Sequence, residues 1–509
     1  MNHTEKKCDI VVLGAGGSGL IAAVRAAQLG KKVIVLEKTY SAGGSMRYFS
    51  AKGPDQKTFG SKWQAERGIP DTTAEYVSRK LDECFWQLDT ELVSNAVFGT
   101  GKFFDWLCEI SPGIGDKFTP GYCIFEHAPS PLGPQRFSTT LEKERTNGAG
   151  LLIVGEMLKQ CEALGVEIIY GCRAQEIVVD GAKVTAVQAE SEAGSVRITC
   201  DACILATGSW IGNREIVDKI CPAINERGLE HVSHDEGLDA LTGDGIAMAE
   251  KIGAFVDYDS FCVVAHGPGA VCLCQTLKNM SNSPYAIYIN LKGKRYICEP
   301  PQARMSLFDS GYVQLMQPAG LCYKVFDDAA LMRTVEDAKA NGGMVPGFEY
   351  PPKFPDTVEG IYEDIDSSIA EHNGITYRAD TLEELAVQLG IDPKTMAESI
   401  ERYNELCDKG MDTDFFKESG YLMPLRKGPY YAVFGEFTAD GAFGGVRVNS
   451  HIKALRSDGS AFDNLYVTGH FASGAYVNMG GIKHEVLNPM SWDYASGFLA
   501  GTNAAEVLN

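Results

Sequence analysis

Short unbroken runs of apolar residues recur along this chain, separated by segments whose apolar positions follow a helical period. The first run, Ile10–Leu13, is apolar throughout, as a strand buried on both faces should be. Val33–Leu36 repeats the pattern, and residues 20–30 between them read as a helix. Further apolar strands are expected over 201–208 and 464–468, each ending in small residues. Strands are also expected at 165–170 and 173–179, with a hairpin over 183–190 and 195–199. Amphipathic spacing marks helices over 148–164, 381–389 and 392–408, and a final helix spans 488–508. Residues 61–110 read as helical. Residues 111–137, rich in Gly and Pro, read as an ordered loop that contains Tyr122.

The two ends of the chain alternate strand and helix, the mark of an α/β fold with a doubly wound parallel sheet. Residues 255–425 differ. They carry longer loops, prolines, scattered aromatics and a hairpin over 287–299 around Lys292-Gly293. At 509 residues the chain is too long for one hydrophobic core. The expected organisation is a nucleotide-binding domain in two parts, 1–255 and 426–509, with an α+β domain inserted at 256–425.

Chemistry enters where the first strand meets its helix. Gly14, Gly16 and Gly19 form a GxGxxG turn within Gly14-Ala15-Gly16-Gly17-Ser18-Gly19. The first glycine permits the turn, the second admits a pyrophosphate close to the backbone, and the third lets helix and strand pack. The helix N-terminus then offers unpaired N–H groups to the phosphates. Glu37 follows 18 residues after Gly19, at the end of the second strand, where a carboxylate can accept from ribose hydroxyls. NAD and FAD both use such a unit, and the residues alone do not separate them.

Other small-residue turns stand where ligands bind in such sheets, beyond the strand C-termini. They are Gly43-Gly44-Ser45, Ala206-Thr207-Gly208 followed by Asn213, and Thr242-Gly243-Asp244-Gly245. Asp244 opens a helix, so capping and ligand contact are both open to it. Arg25 in the first helix has no role beyond solvation or a local charge pair.

Net charge is −21, which argues against nucleic acid or an anionic membrane as partner. No apolar run approaches membrane-spanning length, and the N-terminal residues carry neither a signal-peptide nor a twin-arginine pattern. The expectation is a soluble, cytoplasmic protein with no membrane span. The 15 cysteines are scattered. Cys200 and Cys203 form a CxxC but flank a strand, whose alternate side chains point to opposite faces. Cys272 and Cys274 form a CxC in an apolar stretch, no second pair has zinc spacing, and there is no ferredoxin-type cysteine run. Reduced, mostly buried cysteines and no metal are expected.

In order and spacing these motifs resemble the FAD-dependent flavoproteins of the fumarate reductase and succinate dehydrogenase family, whose members include urocanate reductases and 3-ketosteroid dehydrogenases. The resemblance rests on the N-terminal turn with Glu37-Lys38, Gly43-Gly44-Ser45, Ala206-Thr207-Gly208, Thr242 to Gly245, the hairpin from Asn290 to Glu299, Gly444-Gly445-Val446 and Thr468-Gly469. It implies a Rossmann-type FAD-binding domain with an inserted capping domain and a buried flavin. It implies FAD contacts from the N-terminal turn, Glu37, Lys38, Gly43, Gly44, Ser45, Ala174, Ala206, Thr207, Gly208, Asn213, Asp244, Gly469 and His470. In the family a Glu commonly stands where His470 does and contacts the ribityl chain. No His stands near Arg47 or Tyr48, where respiratory members attach flavin covalently, so FAD is expected to be non-covalent.

The departures concern substrate. Fumarate reductases hold substrate carboxylates with a His and an Arg after the third strand. Here Tyr476 and His484 fall at those positions. The proton-delivering Arg should follow Glu299 closely, but Pro300, Pro301, Gln302 and Ala303 come first, and Arg304 is one position late. A pocket without those charges does not compensate the desolvation of a dianion. Tyr476 and Gly480 instead resemble the ketosteroid dehydrogenase pattern, in which a tyrosine hydroxyl and a glycine N–H hold the ketone oxygen. Two fixed donors there would stabilise an enolate-like transition state. Tyr476 as a packing residue beside the flavin remains the other reading. A proton donor at the α-carbon would be Arg304 or one of Tyr122, Tyr296, Tyr312 and Tyr323.

The leading expectation is hydride transfer between flavin N5 and the C=C bond of an apolar, 3-ketosteroid-like enone, with electrons exchanged through a separate donor or acceptor. A fumarate- or urocanate-like reductase using Arg304, Lys483 and His484 is the alternative. A flavin electron-transfer subunit without its own substrate is the reading from another class.

Overall fold

A computed structural model describes residues 2–49, 57–118, 120–122, 136–138, 149–220, 240–266, 275–280, 283–299, 311, 313–340, 354–371, 374–435, 438–479, 482–487 and 489–508. The chain runs through β1 (Asn2–Lys7), β2 (Ile10–Leu13), helix α1 (Gly17–Gln28) and β3 (Val33–Leu36). It later passes through β4 (Glu167–Ile169), β5 (Cys172–Asp180), β6 (Lys183–Ser191), β7 (Gly194–Thr199), β8 (Ala202–Leu205) and helix α2 (Asp244–Lys251). The middle of the chain contributes β9 (Ile287–Asn290), β10 (Cys322–Asp327), β11 (Thr376–Ala379) and β12 (Tyr430–Gly435). Strands β13 (Lys453–Leu455), β14 (Ala461–Val467), β15 (Tyr476–Met479) and β16 (Ile482–Glu485) lead to the last helix, α3 (Pro489–Val507).

The main sheet has the order β13-β14-β8-β2-β3-β4, and every neighbour except the β13–β14 pair is parallel. All residues of β2, β3 and β8 are buried, as their unbroken apolar runs predict. The fold is the expected α/β class. Helix α3 packs on α1 through glycines. A Cβ on Gly497 would stand 2.6 Å from the Ser18 carbonyl oxygen, and one on Gly501 2.4 Å from that of Ala22. Arg25 acquires a role at this contact. Its Nε donates to Thr502 Oγ1 at 3.0 Å, and its guanidinium lies over the Phe498 ring.

A second sheet, β1-β7-β6-β5, contains the expected hairpin and one strand that sequence did not suggest. β1 is polar and has no alternating pattern. It forms because its backbone pairs in parallel with all of β7. The helical stretch at 61–110 is three helices, Lys62–Glu66, Thr73–Glu83 and Thr90–Ile110. Ser61 and Asp89 cap the first and third by accepting from Gln64 N and Leu92 N. Between the second and third, Phe85 and Trp86 are left-handed, with φ of 50° and 57°. Tyr122 lies on a short strand, Pro120–Tyr122, opposite Arg136–Ser138, rather than in a loop.

The middle of the chain builds an antiparallel sheet, β9-β10-β12-β11, with the helices Asp328–Ala340, Val358–Glu371, Leu382–Gln388 and Pro393–Asp408 around it. β12 belongs to this sheet, past the residue-425 boundary expected from sequence. The sheet has its own apolar clusters, and Tyr323 is part of one of them. A buried ionic group closes the unit. Arg295 donates to Glu299 Oε1 at 2.8 Å and to Asp412 Oδ2 at 2.6 Å, and Lys417 Nζ stands 3.7 Å from Glu299 Oε2. Pairing of this completeness is what allows charges at such depth.

The cysteines described are free, and most are buried. Burial pushes the Cys200 thiol up to about 12 and Cys203 well above its ordinary value. Neither thiol is poised to ionise. Among the described residues no cluster suits a metal ion, and no helix is long and apolar enough to cross a membrane.

Candidate functional site

A cleft opens over the C-terminal ends of β2, β3 and β8, where an α/β sheet of this kind takes ligands. Its floor is the glycine turn. Gly14 has a φ of +108°, and a Cβ there would stand 2.3 Å from the Ala206 carbonyl oxygen. A Cβ on Gly19 would meet the Gly14 carbonyl oxygen at 2.0 Å. Around the Cα of Gly16 nothing lies within 4 Å of the Cβ position, so that residue faces open space. Gly16 also starts α1 without a side-chain cap, and no acidic residue stands in the first turn. The helix N-terminus is thus left free for an anion.

At the end of β3, Glu37 accepts from Ala15 N and Thr39 N, both at 2.8 Å. Thr39 Oγ1 donates to the same oxygen as Thr39 N, so these bonds fix the carboxylate at the cleft wall and leave Oε2, with one donor, a lone pair for a ligand hydroxyl. Lys38 points elsewhere. Its Nζ donates to Thr242 Oγ1 and Asp244 Oδ2, while Arg173 forks onto Asp244 at 3.1 and 2.6 Å. Burial pushes the Asp244 carboxyl up, but Arg173, Lys38 and Thr242 outweigh it and hold the pKa below the usual value. Asp244 therefore neither caps α2 nor stands free. It ties β5, β3 and the 242–245 turn into one wall.

The opposite wall comes from the end of β14 and from α3. His470 stacks on Phe443 with ring centroids 4.7 Å apart, and its Nδ1 lies 2.8 Å from Asp493 Oδ2. Two buried polar atoms on the cleft walls have no partner, Thr207 Oγ1 and Asp493 Oδ1. Orphans of this kind call for a ligand that supplies hydrogen bonds. FAD fits the set, with a pyrophosphate for the glycine turn and hydroxyls for Glu37, Thr207 and Asp493.

Most expected cofactor residues converge on this cleft: Gly14, Gly16, Gly17, Ser18, Glu37, Lys38, Gly44, Ser45, Ala174, Ala206, Thr207, Gly208, Asp244 and His470. Ala15, Gly19, Gly43, Asn213 and Gly469 are not on its surface. Gly19 sits beneath the turn, and Gly43 N donates to Ala15 O. Gly469 N donates to Ser496 Oγ, tying β14 to α3. Asn213 donates its amide to the Thr242 carbonyl and accepts at its oxygen from Ile216 N, so it joins two loops. Arg173, Met248 and Asp493 line the cleft without having been singled out. Arg173 and Met248 carry no sequence signal, and Asp493 lies in a helix far along the chain.

Two of the expected catalytic residues, Tyr476 and His484, follow the His470 wall along the chain. Ala472-Ser473 leads into the hairpin β15–β16, which pairs Tyr476 with Glu485, Val477 with His484 and Asn478 with Lys483. The hairpin is tied at both ends. Ser473 Oγ donates to Asp257 Oδ2, and the same carboxylate accepts from Arg447 at 2.9 Å. At the other end Tyr76 donates to the Val486 carbonyl and accepts from Lys57 Nζ. Gly480, Arg304 and Tyr312 lie outside the described residues. Tyr323 is not available as a proton donor. It is 7% exposed in the core of the inserted unit, where burial raises its pKa to about 12. Burial also drives the pKa of Tyr296, which neighbours Cys322, well above its ordinary value.

The FAD binding domain family matches residues 9–482. A vinyl phenol reductase of Lactiplantibacillus plantarum is 24% identical, covering 92% of this chain and 90% of that protein. A probable fumarate reductase of Shewanella frigidimarina is 25% identical over 98% of this chain and 75% of its own length. Among solved structures, a 3-ketosteroid-Δ4-(5α)-dehydrogenase from Rhodococcus jostii superposes with a TM-score of 0.71 at 22% identity, covering 98% and 97% of the two chains, which is a likeness of fold. The chain belongs to the FAD binding domain family, within the fumarate reductase-like flavoproteins, and is an FAD-dependent oxidoreductase.

Proposed function

We propose that the chain transfers hydride between flavin N5 and an activated C=C bond, and that its substrate is an enone of the 3-ketosteroid type. One observation carries the substrate class. From His470 to Leu487, the segment that leaves the cofactor cleft and forms the tethered hairpin, there is no arginine, and Tyr476 stands on its first strand. A dicarboxylate would find no guanidinium fork in this segment, where beyond His470 Lys483 and His484 alone could offset its desolvation. A ketone oxygen needs only neutral donors. Vinyl phenol and fumarate, named in the two relatives, both carry a C=C bond, which supports the reaction class.

Bound non-covalently, FAD supplies the hydride donor and acceptor. In this reading Gly14, Gly16 and Gly17 admit the pyrophosphate, and Glu37 accepts from the ribose. Gly44, Ser45, Ala174, Ala206, Thr207 and Gly208 line the remainder. Tyr476 donates to the substrate ketone together with the Gly480 N–H. Charge grows on that oxygen as hydride reaches the β-carbon, so both bonds strengthen in the transition state. Arg304 or Tyr122 handles the α-proton. The cofactor domain is built from 1–255 and from the chain after β12, with the inserted unit, extended to include β12, between them, and electrons come from or go to a separate partner.

The fumarate reductase relative favours a second reading, an enoate site built from Arg304, Lys483 and His484. Tyr476→Phe separates the two. Under the enone reading it slows flavin reoxidation by an enone by about 10²-fold or more, with FAD content unchanged. An unaltered rate would remove Tyr476 from the chemistry.

A further inference from the structure

Asp493 holds a buried oxygen that nothing in the protein satisfies. The residue is 9% exposed and lines the cofactor cleft. Its Oδ2 meets His470 Nδ1 at 2.8 Å. A carboxylate only accepts, so Nδ1 carries the proton. Oδ1 has no partner, and it lies 3.6 Å from where a Cβ on Gly469 would be, beside Ser18 Oγ. A buried, unpaired carboxylate oxygen costs the fold free energy unless a ligand donates to it.

The pair is rigidly mounted. Trp492 Nε1 donates to the Gly469 carbonyl at 3.0 Å, and Ser496 Oγ accepts from Gly469 N and bonds Thr468 Oγ1 at 2.7 Å. These contacts bracket Asp493 on both sides. His470 is in turn stacked on Phe443. The arrangement is a preformed acceptor, not an adaptable surface carboxylate.

Topology says which part of the cofactor it meets. In the sheet order β14-β8-β2-β3, Glu37 ends β3 on one side of β2, and His470 follows β14 on the other. The pyrophosphate belongs at the N-terminus of α1, directly after β2. With Glu37 on the ribose of the adenosine half, the opposite side receives the flavin half, and the hydroxyls next to the pyrophosphate there are those of the ribityl chain.

We propose that Asp493, oriented by His470, accepts a hydrogen bond from a ribityl hydroxyl of FAD and so positions the flavin half of the cofactor. The inference rests on FAD binding alone and stands whichever substrate is turned over. The test titrates apo-protein with FAD and with FAD analogues that each lack one ribityl hydroxyl, following flavin fluorescence. Asp493→Ala should weaken FAD about 10- to 100-fold, as loss of a bond to a charged acceptor does. The same variant should bind one of the deoxy analogues about as well as the unaltered protein binds it. Asp493→Ser, too short to reach, should repeat the pattern and serves if the alanine variant does not fold. An equal penalty for FAD and every analogue, or no penalty, would overturn the assignment, because a purely structural role does not distinguish hydroxyls.

Discussion

A methyl group on Gly19 would stand 2.0 Å from the carbonyl oxygen of Gly14. The two glycines are therefore one device. Gly14 turns the chain under Ala206, and Gly19 lets α1 sit directly on that turn. Gly19→Ala must push the helix away from β2 and with it the N–H groups that face the pyrophosphate. Overpacking of this kind costs about 1–3 kcal/mol. The purified variant should carry little flavin, read as the ratio of flavin to protein absorbance, and melt below the unaltered holoenzyme. A variant with full flavin content would show that the turn tolerates displacement.

Ser473 and Asp257 fix the start of the hairpin that bears Tyr476, at a distance from the cofactor turn. Ser473 Oγ donates to Asp257 and also bonds Ser260 Oγ at 2.8 Å. Ser473→Ala leaves the buried Asp257 carboxylate with Arg447 but frees the strand. Turnover should fall roughly 10-fold, since misplacement of a positioning element by about 1 Å can cost up to 10². FAD affinity should not change. Equal losses in both, measured on the same preparation, would place the effect in the cofactor site instead.

The buried charges of the inserted unit set its acid sensitivity. Burial pushes the Asp412 carboxyl up, but Arg295 and the N–H groups of Phe415 and Lys417 outweigh it and hold the pKa below the usual value. A lowered folded pKa adds stability that is fully present above the unfolded value, about 3.9. That stability is lost as pH falls through the lower folded value. Asp412→Asn should cost about 3 kcal/mol at neutral pH, as breaking a buried pair does. In urea unfolding the gap between variant and parent should narrow as pH is lowered below about 4. A gap that is constant from neutral pH into acid would mean that Asp412 is not ionised in its pair.

The cofactor turn could be read from sequence because it is set by local sterics. Gly14, Gly16, Gly19 and Glu37 lie within one strand–helix–strand unit, and their spacing follows from backbone geometry. The buried strands could be read for the same reason, from unbroken apolar runs. Residues that meet across the fold were hidden. Asp493 joins His470 from α3, Arg173 joins Lys38 and Asp244 across two sheets, and Asp412 reaches Arg295 from another loop. Nothing in local spacing encodes such meetings. β1 was missed because its pairing, not its side chains, makes it a strand. The hairpin at 476–485 did leave a signal. Gly480-Gly481 stands between two runs of strand length, and that dipeptide marks a hairpin.

The most direct test of the substrate reading is anaerobic. The flavin is photoreduced, and its absorbance is followed after addition of either a 3-keto-4-ene steroid or fumarate. Rapid reoxidation by the steroid and none by fumarate is the predicted result. Reoxidation by fumarate alone would contradict the enone assignment and move the chemistry to Arg304, Lys483 and His484.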